Sequence, residues 1–175
     1  DELVLQFIHS NVQAAFVGFF EAATLTGSMY VLFPLSTAIV VALFLGRRRF
    51  EAQLLAASVI SGTMVVYVLK AFVDRPRPTL WETEWYWGSS FPSGHTLVVA
   101  AFATAATIGV ARIWPRGRIF VTVIAAVWVF SVAMSRLVLG VHWPTDVLAA
   151  ACIGMFLPVA VGIALELRSR CKLFS

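Results

Sequence analysis

The chain is short of charge. Only 13% of its 175 residues are Asp, Glu, Lys or Arg, and 60% are hydrophobic. An ordinary soluble domain carries roughly twice that share of charge. The shortage excludes a fully water-exposed globular surface and puts most of the chain in a bilayer, at a length suited to one domain over 1–175. Cysteine is scarcer: Cys152 lies in an apolar run and Cys171 in the basic tail. On one continuous helix they are about 28 Å apart, too far for a disulfide, so both are expected as free thiols. There is no internal repeat and no low-complexity linker. The opening Asp1-Glu2 has neither the basic region nor the small-residue cleavage site of a signal peptide.

Long apolar runs are what the chain has instead. Five stand out: Thr26–Gly46, Leu54–Lys70, Gly94–Trp114, Arg118–Gly140 and Pro144–Leu167. Each has about the length needed to cross the hydrocarbon core. A lone segment there must satisfy its own backbone, which predicts helices rather than strands. Pro34 is expected to kink the first. In Asp1–Thr24, apolar residues recur at helical spacing (Leu3, Val4, Phe7, Ile8, Val12, Ala15, Phe16, Phe19), but Gln6, His9, Ser10, Asn11, Gln13 and Glu21 interrupt them. That reads as an amphipathic helix lying at the interface, with His9 an interfacial polar residue. The predicted fold class is an all-α, polytopic transmembrane helix bundle of five spans plus this N-terminal helix.

The formal charge of +4 suggests a nucleic-acid partner, but its distribution argues against one. Nine basic residues fall between or after apolar runs: Arg47, Arg48, Arg49, Arg112, Arg116, Arg118, Arg168, Arg170 and Lys172. The positive-inside rule places all nine on the cytoplasmic side. The first span then starts outside, which predicts a further span ahead of residue 1. The remaining four, Lys70, Arg75, Arg77 and Arg136, lie at the opposite ends of the runs, where positive charge is disfavoured. Trp81-Glu-Thr-Glu-Trp85-Tyr86-Trp87 falls in the same outer loop. It reads as an interfacial anchor or, more sharply, as a lip admitting an amphiphilic substrate.

Three blocks bring chemistry to that outer side. In the first, Lys70 closes the second run, and Arg77-Pro78 follows after six residues. The prolines of Arg75-Pro76-Arg77-Pro78 end the helix and let Arg77 turn back over it; arginine suits phosphate. The second, Pro92-Ser93-Gly94-His95, opens the third run. Ser93 suits a helix cap, Gly94 permits close backbone approach, and the helix start favours an anion. The third is Ser135-Arg136, five residues, His142, three residues, Asp146. Pro144 suits the first helical turn, and Asp146 is positioned to bond one ring nitrogen of His142, leaving the other free to attack. Taken alone, each block has a bland reading: snorkelling cations, an ordinary helix start, a His–Asp pair at a helix end. The alternation of spans brings all three to one face, where cations and helix amides surround two histidines as an anion site sized for a phosphoryl group.

Carboxylates sharpen the reading. Metal phosphatases need clustered acidic ligands, whereas only Asp146 sits within the blocks. The cations therefore stand where a metal would, and a metal-independent enzyme with no cofactor is expected.

These blocks resemble the type-2 phosphatidic acid phosphatase family of integral-membrane phosphatases. Every position of the family pattern is matched: Lys70, Arg77, Pro78; Pro92, Ser93, Gly94, His95; Ser135, Arg136, His142, Asp146. The family commonly has six spans, against five here plus the Asp1–Thr24 segment. The resemblance implies that His142 is the nucleophile and forms a phosphohistidine. It implies that Asp146 orients His142, and that His95 protonates the leaving oxygen and then activates water. Lys70, Arg77, Arg136, Ser93 and the Gly94 amide would hold the phosphate. The expected substrate is a lipid phosphate or pyrophosphate: phosphatidylglycerol phosphate, undecaprenyl pyrophosphate, phosphatidic acid or lipid A. The expected setting is a bacterial plasma membrane with the site facing outward. A lipid phosphotransferase using the same histidine, a non-catalytic lipid-phosphate binder, and the pocket use of the soluble vanadium haloperoxidases are the rival readings.

Overall fold

The computed structural model describes residues 1–81 and 88–171. Among the described residues seven α-helices follow in order: α1 Glu2–Asn11, α2 Val17–Thr26, α3 Met29–Leu45, α4 Arg49–Val73, α5 Gly94–Ile113, α6 Arg118–Val138 and α7 Pro144–Cys171. No strand occurs among the described residues. Among the described residues, helices α4, α5, α6 and α7 are each long and apolar enough to cross a membrane, and α2 and α3, bent by 43° at their break, are so only when taken together. The protein is a multi-pass membrane helix bundle, as the apolar runs require.

Helix α5 is the centre, with α4, α6 and α7 packed around it. Every residue from Thr96 to Ala103 is buried, because neighbouring helices cover this stretch of α5 on every side. Between helices in a bilayer, close packing replaces the hydrophobic drive, and small residues permit it. Gly154 of α7 is the clearest case: a Cβ there would lie 2.4 Å from the Leu97 carbonyl oxygen and 2.7 Å from Ala100 Cβ. Overpacking of that kind costs about 1–3 kcal/mol.

Two expectations shift. The bend in the first span falls at Gly27–Ser28, while α3 runs on through Pro34. Gly27 is pressed against α5 and α6, where a Cβ would sit 2.9 Å from Val132 and 3.0 Å from Val99. Tertiary contact therefore sets the break. The Asp1–Thr24 segment is two helices rather than one. Leu5 of α1 is fully buried in a cluster with Leu137 and Val147, and α2 packs along α6. The ring of His9 stacks on Trp81 at 4.1 Å. Residues 82–87 and the tail from 172, which carry most of the expected aromatic lip and Lys172, lie outside the described residues.

The helices alternate in direction, so the bundle has two distinct ends. At one, Arg112 of α5 pairs with Glu166 of α7 at 2.7 Å and lies 3.9 Å from Glu51 of α4. The other end gathers the close of α4, the start of α5, the close of α6 and the start of α7.

Candidate active site

The helix ends deliver the predicted residues one by one. Lys70 lies in the last turn of α4, and its ammonium donates to the Ser89 carbonyl. Asp74 caps α4 in a left-handed conformation, φ 42°, and Pro76 and Pro78 keep the chain from resuming a helix. Arg77 is thereby turned over the bundle end. Its guanidinium donates to the carbonyls of Val141 (2.8 Å) and Gly88 (3.1 Å), and Nη1 lies 3.4 Å from His142 Nε2. Ser93 is the fully buried N-cap of α5, but its hydroxyl pairs with Thr96 Oγ1 at 3.0 Å instead of capping. The first amides of α5, at Gly94 and His95, have no partner within their helix, as at any helix start.

Arg136, in the last turn of α6, is the most deeply buried cation among the described residues, 1% exposed. Its Nη1 donates to Thr24 Oγ1 of α2. Lys70, Arg77, Arg136 and His142 all act electrostatically on His95, so the three blocks share one electrostatic neighbourhood at one end of the bundle.

Asp146 is fully buried in the first turn of α7. Its Oδ2 accepts from Ser90 Oγ at 2.7 Å and from the Trp143 amide at 2.9 Å, while Oδ1 pairs with Arg75 Nη1 at 2.6 Å. His142 Nδ1 stands 3.8 Å from Oδ2 and has no hydrogen-bond partner among the described residues. The pair faces the right way without being closed; catalytic hydrogen bonds often tighten only when substrate is bound. Nε2, on the other edge of the ring, faces Arg77. Burial pushes the His142 imidazole down from 6.5 to about 4; Asp146 opposes the shift, and Arg136, Arg77 and Lys70 add to it. At neutral pH this ring is uncharged and has a lone pair.

Sequence reasoning passed over Arg75, Ser90 and Thr24. Arg75 had given a signal, being one of four cations on the disfavoured side. Ser90 and Thr24 gave none, since a lone hydroxyl becomes informative only once its partner is known. Among the described residues no group of three or more His, Cys, Asp or Glu is arranged to hold a metal ion.

Fold and geometry together define a multi-pass membrane protein with three cations and two histidines gathered at one end of its bundle. The chain belongs to the PAP2 superfamily, whose family model matches residues 51–166. It is 44% identical over 81 residues to phosphatidylglycerophosphatase B of Escherichia coli (strain K12), covering 46% of this chain and 30% of that protein. It is 34% identical over 84 residues to the lipid A 1-phosphatase of Rhizobium johnstonii, covering 48% of this chain and 30% of that protein. The crystal structure of a transmembrane PAP2-type phosphatidylglycerolphosphate phosphatase from Bacillus subtilis superposes with a TM-score of 0.86 at 26% identity, over 94% of this chain and 84% of that one.

Proposed function

We propose that this protein is a membrane phosphatase that removes the terminal phosphate of a lipid phosphate or lipid pyrophosphate through a phosphohistidine. The observation that carries the reading is the gathering of Lys70, Arg77 and Arg136 with two histidines at one end of an apolar bundle, where lipid headgroups lie. Buried cations of this kind stabilise charge that develops on phosphoryl oxygens.

In this mechanism His142 Nε2 attacks phosphorus, and the bond from phosphorus to the lipid oxygen breaks. His95 gives that oxygen its proton, then takes one from water. The water attacks the phosphohistidine, the P–N bond breaks, and inorganic phosphate leaves. Splitting hydrolysis into two displacements lowers each barrier. The uncharged state of His142 suits a nucleophile, and Asp146 favours the tautomer with hydrogen on Nδ1. The Gly94 amide and the Ser93 hydroxyl complete the phosphate cradle. Both Asp146 oxygens are already held by Arg75, Ser90 and Trp143, which supports turnover without a metal ligand at that position.

The lipid tail stays in the bilayer. A pocket of about 100 Å³ beside His95 is lined by Gly27, Met29, Thr63, Tyr67 and Val98, and Met29 and Tyr67 are exposed on the bundle's outside. The opposite end carries the exposed arginines, so the positive-inside rule turns the site toward the periplasm or cell exterior. The relatives' names favour phosphatidylglycerol phosphate first and the 1-phosphate of lipid A second.

The test is phosphate release by the purified chain in lipid nanodiscs with EDTA present. The panel is phosphatidylglycerol phosphate, phosphatidic acid, undecaprenyl pyrophosphate and lipid A. Release from at least one, strongest for phosphatidylglycerol phosphate, is expected. No release from any, or release only after divalent metal is restored, would overturn the reading.

A further inference from the structure

Arg75 is a fourth cation at the site end, yet its guanidinium is occupied by carboxylates. Nη1 bonds Asp146 Oδ1 at 2.6 Å and Thr145 Oγ1 at 2.8 Å, and Nη2 bonds Asp1 Oδ2 at 2.8 Å. Asp1 in turn accepts from the Thr145 amide and hydroxyl at 3.1 and 2.6 Å. The first turn of α7 is thus held by the planar fork that arginine offers and lysine lacks. The guanidinium also lies over the Trp143 ring at 5.4 Å, and the Trp143 indole donates to the Pro76 carbonyl at 2.9 Å.

The main chain of Arg75 adds a second hold. Its carbonyl accepts from the Ser90 amide at 2.7 Å, and the Ser90 hydroxyl donates to Asp146 Oδ2 at 2.7 Å. One oxygen of Asp146 is therefore fixed by Arg75 directly and the other through Ser90. A fully buried carboxylate without such partners would swing or protonate. With both oxygens fixed, Oδ2 faces His142 Nδ1.

We propose that Arg75 is a positioning residue: with Ser90 it clamps Asp146 so that the acid holds the His142 ring in its attacking orientation. The inference rests on the reading of His142 as nucleophile. Arg75 acts through Asp146 and does not hold phosphate, so its loss slows the chemical step without weakening substrate binding. That separates it from Arg77, whose guanidinium faces the attacking nitrogen.

The experiment compares Arg75→Gln, Arg75→Lys, Asp146→Asn and the double variant Arg75→Gln/Asp146→Asn of the whole chain in nanodiscs, with phosphatidylglycerol phosphate as substrate and thermal unfolding in parallel. Arg75→Gln is expected to lower kcat about 10- to 100-fold, the range for losing a hydrogen bond to a charged group, with KM within about twofold. Arg75→Lys recovers part of the rate. On the Asp146→Asn background the same change costs less than about threefold, since coupled residues are not additive. If Arg75→Gln does not fold, Arg75→Lys and Ser90→Ala carry the same comparison with Asp146→Asn. A raised KM at unchanged kcat, or full additivity with Asp146→Asn, overturns the proposal. Asp146→Asn at wild-type rates removes the orienting role of Asp146 and the clamp with it, and a crippled Asp146→Asn with an additive Arg75→Gln overturns only the clamp; His142→Ala at wild-type rates would instead overturn the reading of His142 as nucleophile.

Discussion

At one end of the bundle Arg47, Arg48, Arg49, Arg116 and Arg118 stand exposed. At the other, Arg136 is buried and Lys70, Arg75 and Arg77 are half-buried. An exposed arginine at a helix end keeps its head in water or among lipid headgroups, at little cost. A buried one gives up its hydration and needs partners that replace it. Arg136 has Thr24, Arg77 has backbone carbonyls, and Arg75 has Asp146 and Asp1. The two ends use the same residue types, so burial, and not charge count, sets the proposed reaction site apart from the exposed arginines opposite.

The sharpest way to break this comparison is to empty the site end. His142→Ala is expected to lower turnover of phosphatidylglycerol phosphate by more than about 10³-fold, since a missing nucleophile has no substitute. Phosphate release at saturating substrate measures it. Arg77→Ala comes next: kcat/KM should fall about 100-fold, the order found when a single stabilising donor is removed, and KM should rise with it. At the opposite end, Arg116→Ala/Arg118→Ala should change kcat/KM by less than about twofold, because exposed charges contribute little. An equal loss at both ends would erase the distinction.

The smallest effect is on titration. Imidazole NMR of the chain in nanodiscs should show His142 half-protonated near pH 4 rather than near its ordinary 6.5. The folded state disfavours the charged ring, so its contribution to stability is whole above about 6.5. That contribution is lost as pH falls from there towards about 4. A midpoint at or above 6.5 would mean that the ring is solvated or already paired, contrary to its burial.

The spans and the three blocks were legible because each is a continuous stretch whose meaning lies in its own residues. Lys70, Ser93, His95, Arg136, His142 and Asp146 fall at span ends, where alternation alone sends them to one side. The bend at Gly27–Ser28 was not legible, because it depends on Val99 and Val132, both distant in the chain. Pro34 misled for the complementary reason: neighbouring helices tolerate a proline inside a span. Arg75 stood out as an unexplained charge, but its carboxylate partner lies 71 residues away. The pattern of Asp1–Thr24 suggests an interfacial helix ending at Thr24, whereas α2 packs on α6 and brings the Thr24 hydroxyl to Arg136. Sequence pattern reports local periodicity and charge; it does not report which distant hydroxyl closes a polar network.

The most direct measurement is rapid quenching of the chain during turnover of ³²P-labelled phosphatidylglycerol phosphate, followed by mapping of the bound label. The account predicts an acid-labile, base-stable phosphate on His142 that is absent from His142→Ala. Label on another residue, or label undiminished in His142→Ala, would contradict it.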